Sequence, residues 1–325
     1  MTDTWTAPAQ RIVSLLPSAT EIVYALGLAD RLVGVTHECD FPETARVKPR
    51  LTASALPAAA NSAEIDRHVR ASIHAGSSLY ALDSALLERL APDLIVTQEL
   101  CVVCAVSYEI VARAAKRVRS DPRVVSLEPS SLEDVFANIE TVGTLTGTER
   151  AARDVVAGLR ARLTALATHV TGRPRPRTLV LEWTDPPMSG GHWTPGLVEF
   201  AGGEPVLANP GANSQVIEWD AIAAAAPEAI VVAPCGFDLE AALRAIAELE
   251  PNPVWRTLRA SETTRIFAMD GNAYVNRPGP RLVDTAELFA TALHGEPFGA
   301  GGMGGARRPD VRDARALRRV PNSPL

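Results

Sequence analysis

The sequence begins without a basic segment ahead of an apolar one. Its first long apolar stretch, "RIVSLLPSATEIVYAL", is interrupted by Pro17 and Glu21, so it reads as neither a secretory leader nor a membrane span. On that basis the chain is expected in the cytoplasm, with no direct membrane insertion. Cysteine is scarce, at four in 325 residues. In a reducing compartment so few thiols argue against a disulfide framework. Catalytic signatures are missing as well. The serines stand outside any nucleophile elbow, and there is neither a P-loop lysine nor a G-x-G-x-x-G pattern. The expectation is a protein that binds rather than an enzyme. Basic charge is missing from the body of the chain. Net charge is -6, yet the residues from Phe298 onward hold six Arg and two Asp, a local +4, which leaves about -10 on the rest. Such a body offers no groove for nucleic acid.

What is present is a rhythm. Hydrophobic residues make up 46% of the chain, which fits a packed globular protein, and the length suggests about two domains. "RIVSLL" (11–16) reads as a buried strand. A helix follows, with Ser18 and Glu21 at capping-box spacing and Gly27 as its stop. "LVGVT" (32–36), "DLIVT" (93–97) and "VVSL" (124–127) are further strands, separated by helical patterns. Such alternation marks a mainly parallel, helix-covered sheet. From Ser131 to Val170 no strand pattern occurs. The second helical segment there, of about 23 residues, would span roughly 30 Å or more. After "GRPRPR" (172–177) the alternation resumes through "TLVLEW", "AIVVAP" and "RIFAM" to a final helix in "GPRLVDTAELFATALHG". "LAPDLIVTQELC" (90–101) and "AAPEAIVVAPC" (225–235) echo each other, a weak internal repeat that suggests two similar lobes. The expected organisation is an α/β lobe over 10–130, a helical connection over 131–172, a second α/β lobe over 173–297, and a disordered Gly/Arg-rich tail over 298–325.

In open parallel sheets ligands bind beyond the carboxyl ends of the strands. Cys39 lies three residues past "LVGVT", Cys101 and Cys104 lie four and seven past "DLIVT", and Cys235 follows "AIVVAP" directly. Thiolates are soft donors suited to iron–sulfur clusters or zinc. These four cysteines are therefore one candidate metal set; the alternative is that they pack as small buried thiols. His37 and Glu38 share the loop of Cys39. Trp183, His192 and Trp193 lie at or beyond the end of "TLVLEW". Indole faces can stack on a flat ligand, and loop imidazoles can meet it. "SGGHWTPG" (189–196) is glycine-rich enough for close backbone approach to a ligand. Tyr274 and Arg277 stand on the loop before the last helix and complete the candidate set. Trp219 and Trp255 read as packing residues.

Four segments, "RIVSLLPSATEIVYALGLADRLVGVTHECDFP", "PDLIVTQ", "TPGLVEFAGG" and "RPGPRLVDTAELFA", occur in that order. Together they resemble the cobalamin-type substrate-binding proteins of ABC importers. That group falls within the helical-backbone metal receptors, the class III periplasmic-binding-protein-like superfamily, which also bind haem and iron–siderophores. The resemblance covers about residues 10–295. It implies two Rossmann-like lobes with mainly parallel sheets, joined by a long backbone helix, with a ligand cleft between them. It implies a cobalamin, another corrinoid or some other metal-containing small molecule as ligand, and an ABC transporter permease as partner. Members are usually periplasmic or lipid-anchored. The cysteines keep a second reading open: a cytoplasmic metal or iron–sulfur-cluster protein, redox-active or enzymatic, using Cys39, Cys101, Cys104 and Cys235.

Overall fold

Strands of unbroken apolar character set the frame. Ile12–Ser14, Leu94–Thr97 and Ala229–Val232 are buried at every position, as parallel strands covered on both faces must be. The computed structural model describes residues 7–54, 61–74, 80–98, 108–295 and 316–322. The chain divides into two units. The first is residues 1–60, 64–129 and 133–158; the second is 61–63, 130–132 and 159–325.

The first unit runs β1 (Ile12–Ser14), α1 (Pro17–Ala25), β2 (Leu32–Gly34), β3 (Thr52–Ser54), α2 (Ser62–His74), β4 (Tyr80–Leu82), α3 (Ser84–Leu90), β5 (Leu94–Thr97), α4 (Tyr108–Ala115), β6 (Arg123–Ser126) and α5 (Leu132–Thr146). Four strands form a parallel sheet in the order β2-β1-β5-β6, while β3 and β4 pair antiparallel beside it. Val13, Leu15, Ile95, Leu87 and Val111 form the buried core on one face. The start of α1 differs from the capping-box expectation. Leu16 is the N-cap, no side chain caps the helix, and Pro17 occupies its first turn. Proline's fixed φ presets a helical start there and its missing N–H leaves no orphan donor, so Ser18 falls inside the helix.

Helix α6 (Glu149–Val170) carries 22 residues without a break, about 33 Å at 1.5 Å per residue. The division between the units falls within it, after Gly158. Its second half is fixed inside the second unit by Arg162. That guanidinium meets Asp284 at 2.5 Å and Glu287 at 2.7 Å, both on the buried final helix.

The second unit continues with β7 (Arg177–Thr184), β8 (Pro187–Ser189), β9 (Gly191–His192), α7 (Thr194–Phe200), β10 (Glu204–Pro205), β11 (Asn209–Pro210), β12 (Gln215–Val216), α8 (Trp219–Ala225), β13 (Ala229–Val232), α9 (Leu239–Glu248), α10 (Pro253–Ala260), β14 (Arg265–Met269), α11 (Leu282–His294) and β15 (Leu317–Val320). Its sheet runs β12-β8-β7-β13-β14-β15, with β10 paired beside β7. The centre is parallel, and β8, β12 and β15 are antiparallel additions at the edges. The core holds Leu181, Ile230, Val232, Ile246 and Trp255. Trp255 is fully buried with Trp219 edge-on to it, so both indoles pack as expected.

The stretch expected to be a disordered tail supplies β15. Val320 is 1% exposed and joins that core, Arg318 pairs with Glu240 at 3.1 Å, and the strand covers the open edge of β14. Ala316 and Val320, at the two ends of the segment, are buried, while Arg318 and Arg319 between them are exposed.

The internal repeat is physical. In the first unit Arg11 donates to Leu90 O and Ala91 O at the end of α3, and Asp93 accepts the N–H groups of Gln10 and Arg11. In the second, Arg177 donates to Ala226 O at the end of α8, and Glu228 accepts the N–H of Arg177. Ala91 and Ala226 are both left-handed, at φ 43° and 44°.

Candidate functional site

In the first unit the loop after β2 folds onto the end of β1. Ser14 Oγ donates to Leu16 O at 2.9 Å, and Thr20 Oγ1 donates to Ser14 Oγ at 2.9 Å. Cys39 Sγ lies 3.0 Å from Thr20 Oγ1 and 3.3 Å from Thr36 Oγ1, which accepts the Glu38 N–H at 3.1 Å. A hydroxyl has one proton. The bonds therefore read as one ordered chain, from the Glu38 N–H through Thr36, Cys39, Thr20 and Ser14 to Leu16 O. Cys39 sits in its middle, 1% exposed. It acts as both acceptor and donor, a use of the thiol that metal ligation would break. His37 is pinned by Thr52, whose Oγ1 lies 3.1 Å from its N–H and 2.7 Å from Nδ1. Its ring tilts against Tyr80 at 5.5 Å, and its Nε2 lies 3.2 Å from Glu38 Oε1.

In the second unit three strands end together. At the end of β7, Glu182 is held by three donors. Thr194 Oγ1 donates to Oε1 and Ser214 Oγ to Oε2, each at 2.5 Å, and the Gly191 backbone adds a third bond. Burial raises the carboxyl's pKa, and these hydrogen bonds pull it partly back. The residue ties the start of α7 and the turn before β12 to the sheet. Gly191 is required by the same closure: a Cβ there would fall 2.5 Å from Ala212 O and from Ser214 N. The glycine-rich segment thus approaches its own chain.

His192 follows with φ 48° and stacks on Trp193 at 5.3 Å. Burial lowers its pKa, opposed by a bond with Asn213, and its Nε2 is buried with no hydrogen-bond partner among the described residues. Trp193 is 8% exposed and donates from Nε1 to Val275 O at 2.8 Å, so it packs and turns no face outward. Tyr274 and Arg277 are also buried, at 8% and 4% exposure. They lie on and just beyond a single π-helical turn, Gly271–Val275, that Asp270 caps by accepting the Ala273 N–H at 2.7 Å. The Arg281 guanidinium stands 5.5 Å over the Tyr274 ring. Burial raises the pKa of Asp270, and Arg277 and Arg281 act against that rise.

Trp183 is different. It is half-buried, its Nε1 donates to Asp185 O at 3.1 Å, and Phe237 meets it edge-on at 5.5 Å. Phe237 belongs to the turn after β13, as does Cys235, whose N–H donates to Glu182 O at 3.0 Å. The pair offers apolar ring surface at the strand ends. Neither Phe237 nor Glu182 was among the residues singled out from sequence. Glu182 had a signal, a lone charge within the apolar run "TLVLEW", since a polar residue in an otherwise buried strand is the informative one. Phe237 had only its place just past a strand.

Cys101 and Cys104 lie outside the described residues. Cys39 and Cys235 belong to different units, and among the described residues no group of three or more His, Cys, Asp or Glu is placed to hold a metal ion. Among those residues, too, no helix is long and apolar enough to cross a membrane.

The sequence pattern of a family described as periplasmic binding protein matches residues 12–273. A vitamin B12-binding protein of Vibrio vulnificus is 23% identical over 284 residues, covering 85% of this chain and 87% of the relative. An ABC transporter substrate-binding lipoprotein of Bacillus subtilis, itself uncharacterized, is 24% identical over 300 residues, 89% of this chain and 81% of the relative. The crystal structure of a periplasmic heme-binding protein from Pseudomonas aeruginosa superimposes with a TM-score of 0.65 at 21% identity, over 89% of this chain and 94% of that one. A periplasmic family and a lipoprotein relative overturn the cytoplasmic expectation. That expectation rested on the first residues, and export leaders are removed from mature chains, so an amino terminus without one is no label of compartment.

Proposed function

The chain belongs to the periplasmic binding protein family, and on that premise we propose that it captures a corrinoid, or a closely related metal-bearing macrocycle, for an ABC importer. The observation that carries this reading is the Trp183–Phe237 pair at the strand ends of the second unit. A flat macrocycle of low polarity needs rigid aromatic surface, and an indole with its N–H already tied to Asp185 O supplies it at little entropy cost. The relatives named for vitamin B12 and for heme support a ligand of that class. Among the candidate residues, Trp183 is the one we assign to direct contact. Trp193, Tyr274 and Arg277 support the loops from beneath. The metal arrives as part of the cargo, so no protein-bound cluster is needed.

Titration of the purified protein with cyanocobalamin and, separately, hemin tests the reading, followed by absorbance and tryptophan fluorescence. Saturable one-to-one binding with a Kd near or below about 1 μM is expected for one of them. Trp183→Ala should weaken it by about tenfold or more, as loss of a central aromatic contact does. No response to either compound would end the proposal.

A further inference from the structure

The chain of the second unit leaves its core just before Phe237. Ala233 and Pro234, past the end of β13, are buried; Cys235 is half-buried, Gly236 is exposed, and Phe237 is half-buried again. Gly236 takes φ 78°, a left-handed value that favours glycine. Apolar burial therefore does little to fix where the Phe237 ring stands. Hydrogen bonds to the neighbouring strand ends do it instead. On one side is the bond from the Cys235 N–H to Glu182 O, beside Trp183.

On the other side stands the π-helical turn after β14. The Asn272 N–H donates to Phe237 O at 3.0 Å. The Asn276 N–H closes the turn on Gly271 O at 3.0 Å. Its side-chain Nδ2 donates to that carbonyl at 3.1 Å and to Ala233 O, also at 3.1 Å. An amide nitrogen carries two hydrogens and the amide oxygen none, so two carbonyl acceptors assign the nitrogen to this spot. Gly271 lets the two turns touch: a Cβ there would meet Pro234 O and fall 2.6 Å from Ala233 O. Single π-helical turns are rare and recur at functional sites. This one carries its closing residue back over its first carbonyl, within reach of the next strand's loop. The turn has its own anchor in Val275, which is fully buried and accepts the Trp193 Nε1–H at 2.8 Å. The reach of Asn276 to Ala233 O is thus a link between two turns that the core already holds separately.

We infer that Asn276 is a positioning residue for ligand capture. Its amide holds the turn that carries Phe237, and so sets that ring against Trp183 without touching the ligand. The inference rests on the reading of the Trp183–Phe237 pair as the ligand's aromatic surface. A surface already ordered leaves less to be ordered when the ligand arrives.

Fluorine NMR of the full chain labelled with 5-fluorotryptophan tests it first without ligand. Trp183→Phe and Trp219→Phe assign two resonances, and Phe237→Leu shows where that of Trp183 moves when the ring contact is lost. Asn276→Ala should move it in the same direction. Asn276→Asp, similar in size but without donors once ionised, should do so too. The Trp219 resonance should stay in place, since that indole packs on Trp255 in the core; this separates a displaced ring from a damaged fold. A second arm titrates cyanocobalamin and hemin. Asn276→Ala should weaken binding about fivefold in the native chain, and by less than about twofold in the Phe237→Leu background, because both changes act on one contact. A Trp183 resonance unmoved by Asn276→Ala, binding unchanged by it, or equal weakening in both backgrounds overturns the inference. Should the native chain bind neither compound, the capture reading fails, and the fluorine spectrum still decides whether Asn276 places the ring.

Discussion

Arg11 and Arg177 open the first strand of their units, and each ties down the end of a helix through carbonyls next to a left-handed alanine. At the opposite ends of the same sheets the likeness stops. The first unit closes its strand-end loops with an uncharged chain of hydroxyls and one thiol, Thr36, Cys39, Thr20 and Ser14. The second closes them on a half-buried carboxylate, Glu182, held by Thr194 and Ser214. The poles that start strands repeat because both units need the same helix end fixed to the same strand start. The strand-end poles are where loops converge, and they diverge in chemistry. One half is locked by neutral hydroxyls and a thiol, the other by a carboxyl whose pKa burial raises.

The largest effect expected from breaking this comparison lies beneath the second unit's loops. Arg162→Ala would leave Asp284 and Glu287 buried without their guanidinium. Losing one partner of a buried ion pair costs about 3–5 kcal/mol, read as a drop in the urea midpoint. Asp284 already has its pKa raised, first by burial, with Arg162 opposing the rise. Without Arg162 it should take up a proton more readily, so the cost should shrink as pH falls. Arg31→Ala is the control in the first unit. Among the described residues its guanidinium serves neutral carbonyls alone, of Ala9 and Thr146, and the loss should stay nearer about 1.5–3 kcal/mol with no such pH dependence.

Much of this architecture was legible in residue order. Apolar strands alternating with helices gave the parallel sheets, the strand-free stretch gave α6, and the pair "PDLIVT" and "PEAIVV" exposed the repeat, since both carry the acid that accepts strand N–H groups. Other features were hidden. Trp193 and Trp183 look alike in sequence, yet Trp193 turns inward to reach Val275 O, a partner 82 positions away. β15 was hidden because composition reports the Gly/Arg-rich stretch, and a strand with two arginines at its centre, Arg318 and Arg319, carries no apolar pattern to reveal it. The thiols misled in another way. A cysteine just past a strand is as well placed for a hydrogen-bonded loop closure as for a metal, and only Thr20 and Thr36 decide the matter for Cys39.

A middle-sized effect should come from the uncharged closure itself. Cys39→Ala removes the central link and leaves the buried Thr20 and Thr36 hydroxyls each short of a partner, for about 1–3 kcal/mol. Cys39→Ser restores a group that accepts and donates, and should recover most of that loss in thermal unfolding. Equal damage from Ser and Ala would mean that the sulfur matters for its volume alone, and the two halves would then differ less than proposed.

The smallest effect is a slope. The folded pKa of Glu182 is raised above the ordinary carboxylate value because burial penalises its charge more than Thr194, Ser214 and Gly191 offset it. A folded state that holds a proton more tightly than the unfolded chain gains stability below the unfolded pKa and loses it as pH rises through the folded one. Glu182→Gln removes that term while keeping an oxygen that accepts and an amide that can donate to the same hydroxyls. Relative to the native chain, the variant should therefore gain ground steadily between about pH 4 and 8, the range above the ordinary carboxylate pKa. Cys39→Ser should run parallel to the native profile over the same range. Parallel profiles for both variants would show that Glu182 keeps an ordinary carboxylate pKa in the fold, and would remove the contrast between the two closures.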